Sequence, residues 1–351
     1  PKMPFIEVTA DYDPKESKFT MHLEQTQKVT SRLPEYSIKI PFVIYTNMDT
    51  YTYKSTLGNV SKNVGLLLNP KEEIKYIEVD PRAEILAKWN INVPDEWVVN
   101  QLKEGESKTF ATRVLNSADR ENLNEETFED IDMSDWPNYL QAAYVSYIIN
   151  NENFSEKYIA SQIEESSLDA KLAYLKIKTI PKSHEKLVRS WLKESSYALQ
   201  EQALLKLFID FRENGDSYLK LTEGLEGTRG HNVKVMWEFV NFVNSKGSGS
   251  AQELINMTSS QFDFLTRINS LDVISALNLQ EVSNDLLTNS FQGVFQGNRR
   301  WRGAAITFLR KSNEDPNMQK AIFAYIDAHK SEWQSWQKKR VENVFSIELE
   351  D

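Results

Sequence analysis

The chain has 351 residues, 40% of them hydrophobic and 26% charged, with a formal net charge of −10 and a pI near 5.2. That length calls for two domains, each able to bury a core, and the acidity excludes non-specific nucleic-acid binding, which depends on clustered Lys and Arg. The absence of cysteine excludes disulfides, thiolate catalysis and cysteine metal sites, and no run approaches the ~18 apolar residues that span a bilayer.

The expected setting is therefore soluble, cytoplasmic or periplasmic, with neither nucleic acid nor membrane as partner. Pro1-Lys2-Met3-Pro4 leads almost at once into a strand, which reads as an excised piece of a longer protein rather than a signal peptide. Ile6, Val8 and Ala10 alternate with Glu7, Thr9 and Asp11, a period of two. After a turn at Asp13-Pro14-Lys15, Phe19, Met21 and Leu23 resume the alternation. Ile38, Ile40, Phe42 and Ile44 make a third strand, with Pro41 on its opposite face, as at an edge or a bulge. Tyr51 and Tyr53, then Val64 to Leu68, then Ile74 to Val79 supply the rest, parted by Gly58-Asn59 and Asn69-Pro70. Short strands so spaced predict a small antiparallel β-sandwich over residues 1–80.

From Tyr76 to Leu102, YIEVDPRAEILAKWNINVPDEWVVNQL, the periodicity changes over. Ile77 and Val79 close the last strand-like run, and Asp80-Pro81 breaks it. Pro94 punctuates again, and Asp95 is placed to cap a helix carrying Trp97, Val98, Gln101 and Leu102 on adjoining turns. Residues 81–116 read as the joint and first helices, with Trp89 and Trp97 as anchors of an apolar interface between the β and α parts.

The V-D-P strand end, the Ile85-Leu86 pair and the helix ending N-Q-L resemble the gluzincin aminopeptidases, the aminopeptidase N family. Further likeness lies in P-F-I-E-V-T-A-D-Y-D-P-K at Pro4–Lys15, K-F-T-M-H-L-E-Q-T-Q at Lys18–Gln27 and I-K-I-P-F-V-I at Ile38–Ile44. The match spans the first third of the chain; the helical remainder is similar in style only. The resemblance implies the non-catalytic C-terminal region of such an enzyme, a β-sandwich followed by a helical superhelix that closes the peptide-substrate chamber. The implied partners are the protein's own catalytic domain, where zinc is expected, and a peptide substrate. The alternative is a free-standing α-solenoid scaffold for a protein partner; a parent that has lost its zinc ligands is a third reading.

Residues 117–136 carry Glu121, Glu125, Glu126, Glu129, Asp130, Asp132 and Asp135 with few apolar anchors, and predict a solvated loop rather than a calcium site. From 137 to 351 amphipathic stripes follow one another. Among them are Tyr139 to Ile148, Leu168 to Ile177, Leu187 to Leu192, Leu199 to Phe211, Val233 to Val243, Phe262 to Leu279, Leu286 to Phe295, Ala304 to Leu309 and Ile322 to Ile326. Gly247-Ser248-Gly249-Ser250 marks an exposed turn. Stripes starting about every 30–40 residues predict an α-helical HEAT-like solenoid, and the fold class as a whole is multidomain β plus α.

Candidate chemistry is sparse. Of the four histidines, only His184-Glu185 begins an H-E-x-x-H pattern, and Val188 stands where the second imidazole belongs. His184 is expected at a helix start on the surface, and His22 and His329 exposed; no cofactor is expected in this part. Gly224, Gly227 and Gly230 before His231 predict a flexible inter-helix turn rather than a phosphate loop. Trp333 and Trp336 before Lys338-Lys339-Arg340 predict a capping helix. The residues best suited to touch substrate are Asn298, Arg299, Arg300 and Arg302 around Trp301, since arginine pairs bidentately with a carboxylate. Pairing with Glu and Asp of neighbouring helices is the structural alternative.

Overall fold

The computed structural model describes residues 3–117, 122–247, 251–277 and 283–349. Parts of three sequence expectations lie outside them: Asp119 and Glu121 of the acidic stretch, Ser248-Gly249-Ser250 of the exposed turn, and Asn278-Leu279 at the end of one stripe. The chain divides into two compact units, Pro1–His184 and Glu185–Asp351.

The first unit opens with β1 (Phe5–Asp13), β2 (Lys18–Gln25), β3 (Ile38–Thr46), β4 (Thr50–Leu57), β5 (Ser61–Leu67), β6 (Ile74–Val79) and β7 (Lys88–Asn92). They form two sheets, ordered β5-β2-β1-β7 and β4-β3-β6. The period-two alternation sends Ile6, Val8, Phe19, Met21, Ile40, Phe42 and Ile44 inward, all buried. Phe19 and Phe42, one from each sheet, stack at 6.3 Å between centroids.

Two strand expectations are corrected. Val79 does not close the β structure, because β7 follows and pairs parallel to β1, setting Ile91 beside Val8. At five residues β7 is too short to show its period against the surrounding joint. Nor is β3 an edge: it lies between β4 and β6. The Pro41 carbonyl accepts from Asp80 N at 2.8 Å. In an antiparallel strand a residue's N and C=O point the same way, so the missing N–H of Pro41 faces the place where β6 leaves the sheet. The Asp80 carbonyl, which that N–H would have met, accepts from Arg113 Nη1 at 3.4 Å instead.

Gln25 and Gln27, from the Q-T-Q segment, are buried. Gln25 Nε2 donates to the Tyr36 carbonyl at 2.8 Å while its Oε1 accepts from Tyr36 N at 2.9 Å. Gln27 donates to Gln25 Oε1 at 3.0 Å and accepts from Phe5 N at 3.0 Å. The amides thus satisfy backbone groups of a loop with no ladder of its own.

Helices α1 (Asp95–Glu104), α2 (Lys108–Leu115), α3 (Asn138–Ile149), α4 (Glu156–Glu164) and α5 (Leu168–Tyr174) complete the unit. Trp97 of α1 stacks on Phe19 at 6.4 Å, tying the first helix to the sandwich. From residue 122 to the start of α3 the chain is a run of turns, but not a bare solvated loop. Leu123, Phe128, Ile131, Met133 and Trp136 are buried between exposed Glu129, Asp130, Asp132 and Asp135. Phe128 stacks on Tyr144 at 5.5 Å, and Trp136 meets the same ring edge-on. Apolar anchors so spaced follow neither helical nor strand period, so the charge density masks them.

The second unit holds α6 (Glu185–Ser190), α7 (Tyr197–Asp210), α8 (Gly215–Thr222), α9 (Val233–Asn244), α10 (Gln252–Asn256), α11 (Phe264–Leu277), α12 (Asn284–Phe295), α13 (Arg299–Ser312), α14 (Pro316–His329) and α15 (Ser335–Phe345). Helices α7, α9, α11, α13 and α15 pack in succession, while α8, α10, α12 and α14 flank them. Each row covers the apolar face the other leaves bare. Side-chain caps start several of these helices: Ser196 for α7, Ser283 for α12, Asn298 for α13 and Asp315 for α14.

The glycine turn between α8 and α9 is more ordered than expected. Thr228 and His231 bond reciprocally through their backbones, at 2.8 and 2.9 Å. Gly224, Gly227 and Gly230 all have positive φ.

Candidate functional site

The joint is built by two carboxylates on β6 and the residue after it. Ile77 and Val79 point into the sandwich, so Glu78 emerges on the opposite face, against α1. Its Oε1 accepts from Gln101 Nε2 at 3.0 Å and from Ser107 N at 2.7 Å; its Oε2 accepts from the Tyr45 hydroxyl at 3.3 Å. Asp80 has a φ of +48 and ends the strand. Its side chain accepts from the Glu84 and Ile85 amides at 2.9 and 3.2 Å and pairs with Arg113 of α2 at 3.1 Å. The Arg113 guanidinium lies over the Trp89 ring, 4.8 Å from its centroid. Thus Trp97 grips the sandwich directly, and Trp89 supports the cation that holds Asp80.

Beside this network, β3 and β4 expose one face. Tyr45 stands opposite Thr50, Val43 opposite Thr52, and Pro41 opposite Lys54. These side chains floor a cleft of about 670 Å³ whose other wall includes Pro81, Arg82, Glu84, Glu106 and Ser107, with Glu78 also on its lining. Tyr45 stacks on Tyr76 at 4.4 Å. Burial, then the charges of Glu78 and Glu106, push the Tyr45 hydroxyl well above its usual range. Burial and the same carboxylates, with Glu104, push Tyr76 up to about 12.

The expected substrate contacts sit at the start of α13. Asn298 is the N-cap, its Oδ1 accepting from Arg300 N at 3.0 Å and Trp301 N at 3.1 Å. Trp301 is buried, and Arg302 donates to the Gln296 carbonyl at 3.2 Å. Arg299 and Arg300 are exposed. None of the three arginines forms an ion pair among the described residues.

His184 is the clear correction. It is 2% exposed, with Nδ1 bonded to the Tyr174 hydroxyl at 2.6 Å and Nε2 to the Glu156 carbonyl at 2.7 Å. Both ring nitrogens are engaged by neighbours distant in sequence, which a local motif does not reveal. His329, stacked on Tyr325 at 4.1 Å, and His22, bonded to Asn63, are both half-buried rather than exposed. Among the described residues no group of three or more His, Cys, Asp or Glu is placed to hold a metal ion. These residues do not fit a zinc site.

No protein-family model matches the chain. No curated protein matches it. Among solved structures, aminopeptidase A of Legionella pneumophila in complex with aspartic acid is a distant neighbour, with a TM-score of 0.35 and 8% identity. The alignment covers 98% of this chain and 49% of that one, so the chain spans about half the length of that protein. No helix among the described residues is long and apolar enough to cross a membrane.

Proposed function

We propose that the chain is the non-catalytic C-terminal part of a zinc metallo-aminopeptidase-like protein. In this reading the helical part is HEAT-like and closes the peptide chamber of a catalytic domain that lies outside the sequence. One observation carries it. The segments that resemble the gluzincin aminopeptidases are those that build the handover from sandwich to helices. The V-D-P aspartate caps the turn and pairs with Arg113, the N-Q-L glutamine holds Glu78, and the Q-T-Q amides pin the loop before β3. Local resemblance and local structure agree on the same residues.

Arg299 and Arg300, exposed and without carboxylate partners among the described residues, suit a peptide's C-terminal carboxylate in that chamber, with Asn298 and Arg302 supporting the helix start. The test uses the full-length protein. One zinc per chain and hydrolysis of aminoacyl-anilides are expected. Arg300→Ala should raise KM for short peptides more than for anilides, which lack the carboxylate. Equal effects on both substrates remove the carboxylate anchor while leaving the family reading. A full-length protein with neither zinc nor hydrolysis is a scaffold instead.

A further inference from the structure

The two buried carboxylates of the joint are treated differently by the fold. Asp80 is wholly buried and is answered by the guanidinium of Arg113. Glu78, two residues earlier and 1% exposed, forms no ion pair among the described residues; its donors there are the neutral groups of Gln101, Ser107 and Tyr45. Glutamate is almost never so buried without a cation, because the cost of removing its charge from water is only partly offset by neutral donors. Oε1 already receives two short bonds. Oε2 receives one, at 3.3 Å, and keeps capacity for a further donor.

The cleft supplies the place for that donor. Tyr45 gives its proton to Glu78, so its oxygen can accept from the cleft side. Glu106 is exposed on the facing wall. The Tyr45 ring is backed by Tyr76, and an aromatic face beside carboxylates attracts a cation through its quadrupole as well as through charge. Val43 and Pro41 continue the floor with apolar surface suited to an aliphatic stem. Lys54 and Arg82 stand on the lining too, with Glu84, so the acidic character is confined to the Tyr45 end.

We propose that this cleft binds an ammonium or guanidinium group on an aliphatic stem, the side chain of Lys or Arg in a peptide segment, with Tyr45 and Glu106 as contacts and the Glu78 carboxyl behind them. The proposal is independent of the aminopeptidase reading, since the cleft lies wholly within the first unit and involves no catalytic group.

The test is a titration of the methyl-labelled chain, following Val43, with blocked tripeptides Ac-Gly-X-Gly-NH2 in which X is Lys, Arg, norleucine or Glu. Saturable shifts are expected for Lys and Arg and none for norleucine or Glu. Glu106→Gln, at an exposed position that does not threaten folding, and Tyr45→Phe should each weaken binding about tenfold, as loss of a charge-assisted contact does. Butylamine serves as the free-amine arm. Binding as tight as that of the Lys peptide supports recognition of the cation alone, and weaker binding supports a contribution from the peptide backbone. Equal shifts with norleucine, preference for Glu, absence of any shift, or unchanged affinity in Glu106→Gln would each overturn the proposal.

Discussion

Asp80 and Arg113 meet at 3.1 Å, the carboxylate wholly buried and the guanidinium 15% exposed. The pair joins the end of β6 to α2 across a gap of 33 residues. Replacing one partner leaves the other as an uncompensated charge, so Arg113→Ala should cost about 3–5 kcal/mol. Asp80→Asn, which tolerates the left-handed backbone, should cost less than Asp80→Ala, which adds a penalty of about 1–2 kcal/mol for its positive φ. Urea denaturation followed by tryptophan fluorescence checks the order. Equal stability of all three variants would assign the handover to apolar packing alone.

Trp97 and Leu86 offer a contrast within the same joint. Trp97 is 5% exposed and stacks on Phe19, whereas Leu86 is 79% exposed. Trp97→Ala should cost about 3–5 kcal/mol, and Leu86→Ala should change stability by no more than about 0.5 kcal/mol. The same denaturation experiment reads both.

Much of this fold is legible in the sequence because its signals are periodic. The alternation around Ile6, Phe19 and Phe42 sends those residues into the sandwich core, and the stripes after Pro137 become helices. What escapes is non-periodic or non-local. β7 is five residues long and finds its partner β1 some eighty positions earlier in the chain. Phe128 and Trp136 hold the acidic stretch to α3 through side chains spaced like neither helix nor strand. His184 looks like half a metal motif until Tyr174 and Glu156 are folded against it. Only topology brings Gln101, Ser107 and Arg113 to the carboxylates of Glu78 and Asp80.

The glycine turn yields a third prediction. A Cβ at Gly227 would stand 2.2 Å from the His231 carbonyl oxygen, at a φ of +110. At Gly224, with φ +77, a Cβ would meet nothing within 4 Å. Gly224→Ala should therefore cost only about 1 kcal/mol, from the left-handed backbone. Gly227→Ala adds a clash with backbone that cannot yield cheaply, and should cost about 3 kcal/mol or more. Proteolysis at the turn should rise in Gly227→Ala and not in Gly224→Ala. Equal susceptibility would mean that this loop adapts.

The isolated chain should bind no stoichiometric zinc and hydrolyse no aminoacyl-anilide. Its buried imidazole at His184 is committed to Tyr174 and Glu156, and no second histidine stands one turn away. Metal analysis after dialysis and an anilide assay with and without chelator check this. Chelator-sensitive hydrolysis that survives purification would place a catalytic site within these residues.

Glu201 of α7 supplies a pH prediction. Its carboxylate is 8% exposed, and burial raises its pKa above the ordinary 4.5. Opposing this are the Asn232 amide and His231, whose Nδ1 lies 3.6 Å from Oε2. With a raised folded value, the native state holds a proton that the unfolded chain has released at any pH between the two values. Stability then falls as pH rises through the folded value and recovers on acidification. Relative to Glu201→Gln, which cannot titrate, the native chain should gain melting temperature as pH is lowered from 7.5 to 5. No relative change over that window would mean that the contacts with His231 and Asn232 outweigh desolvation and that the carboxylate stays charged down to its ordinary range.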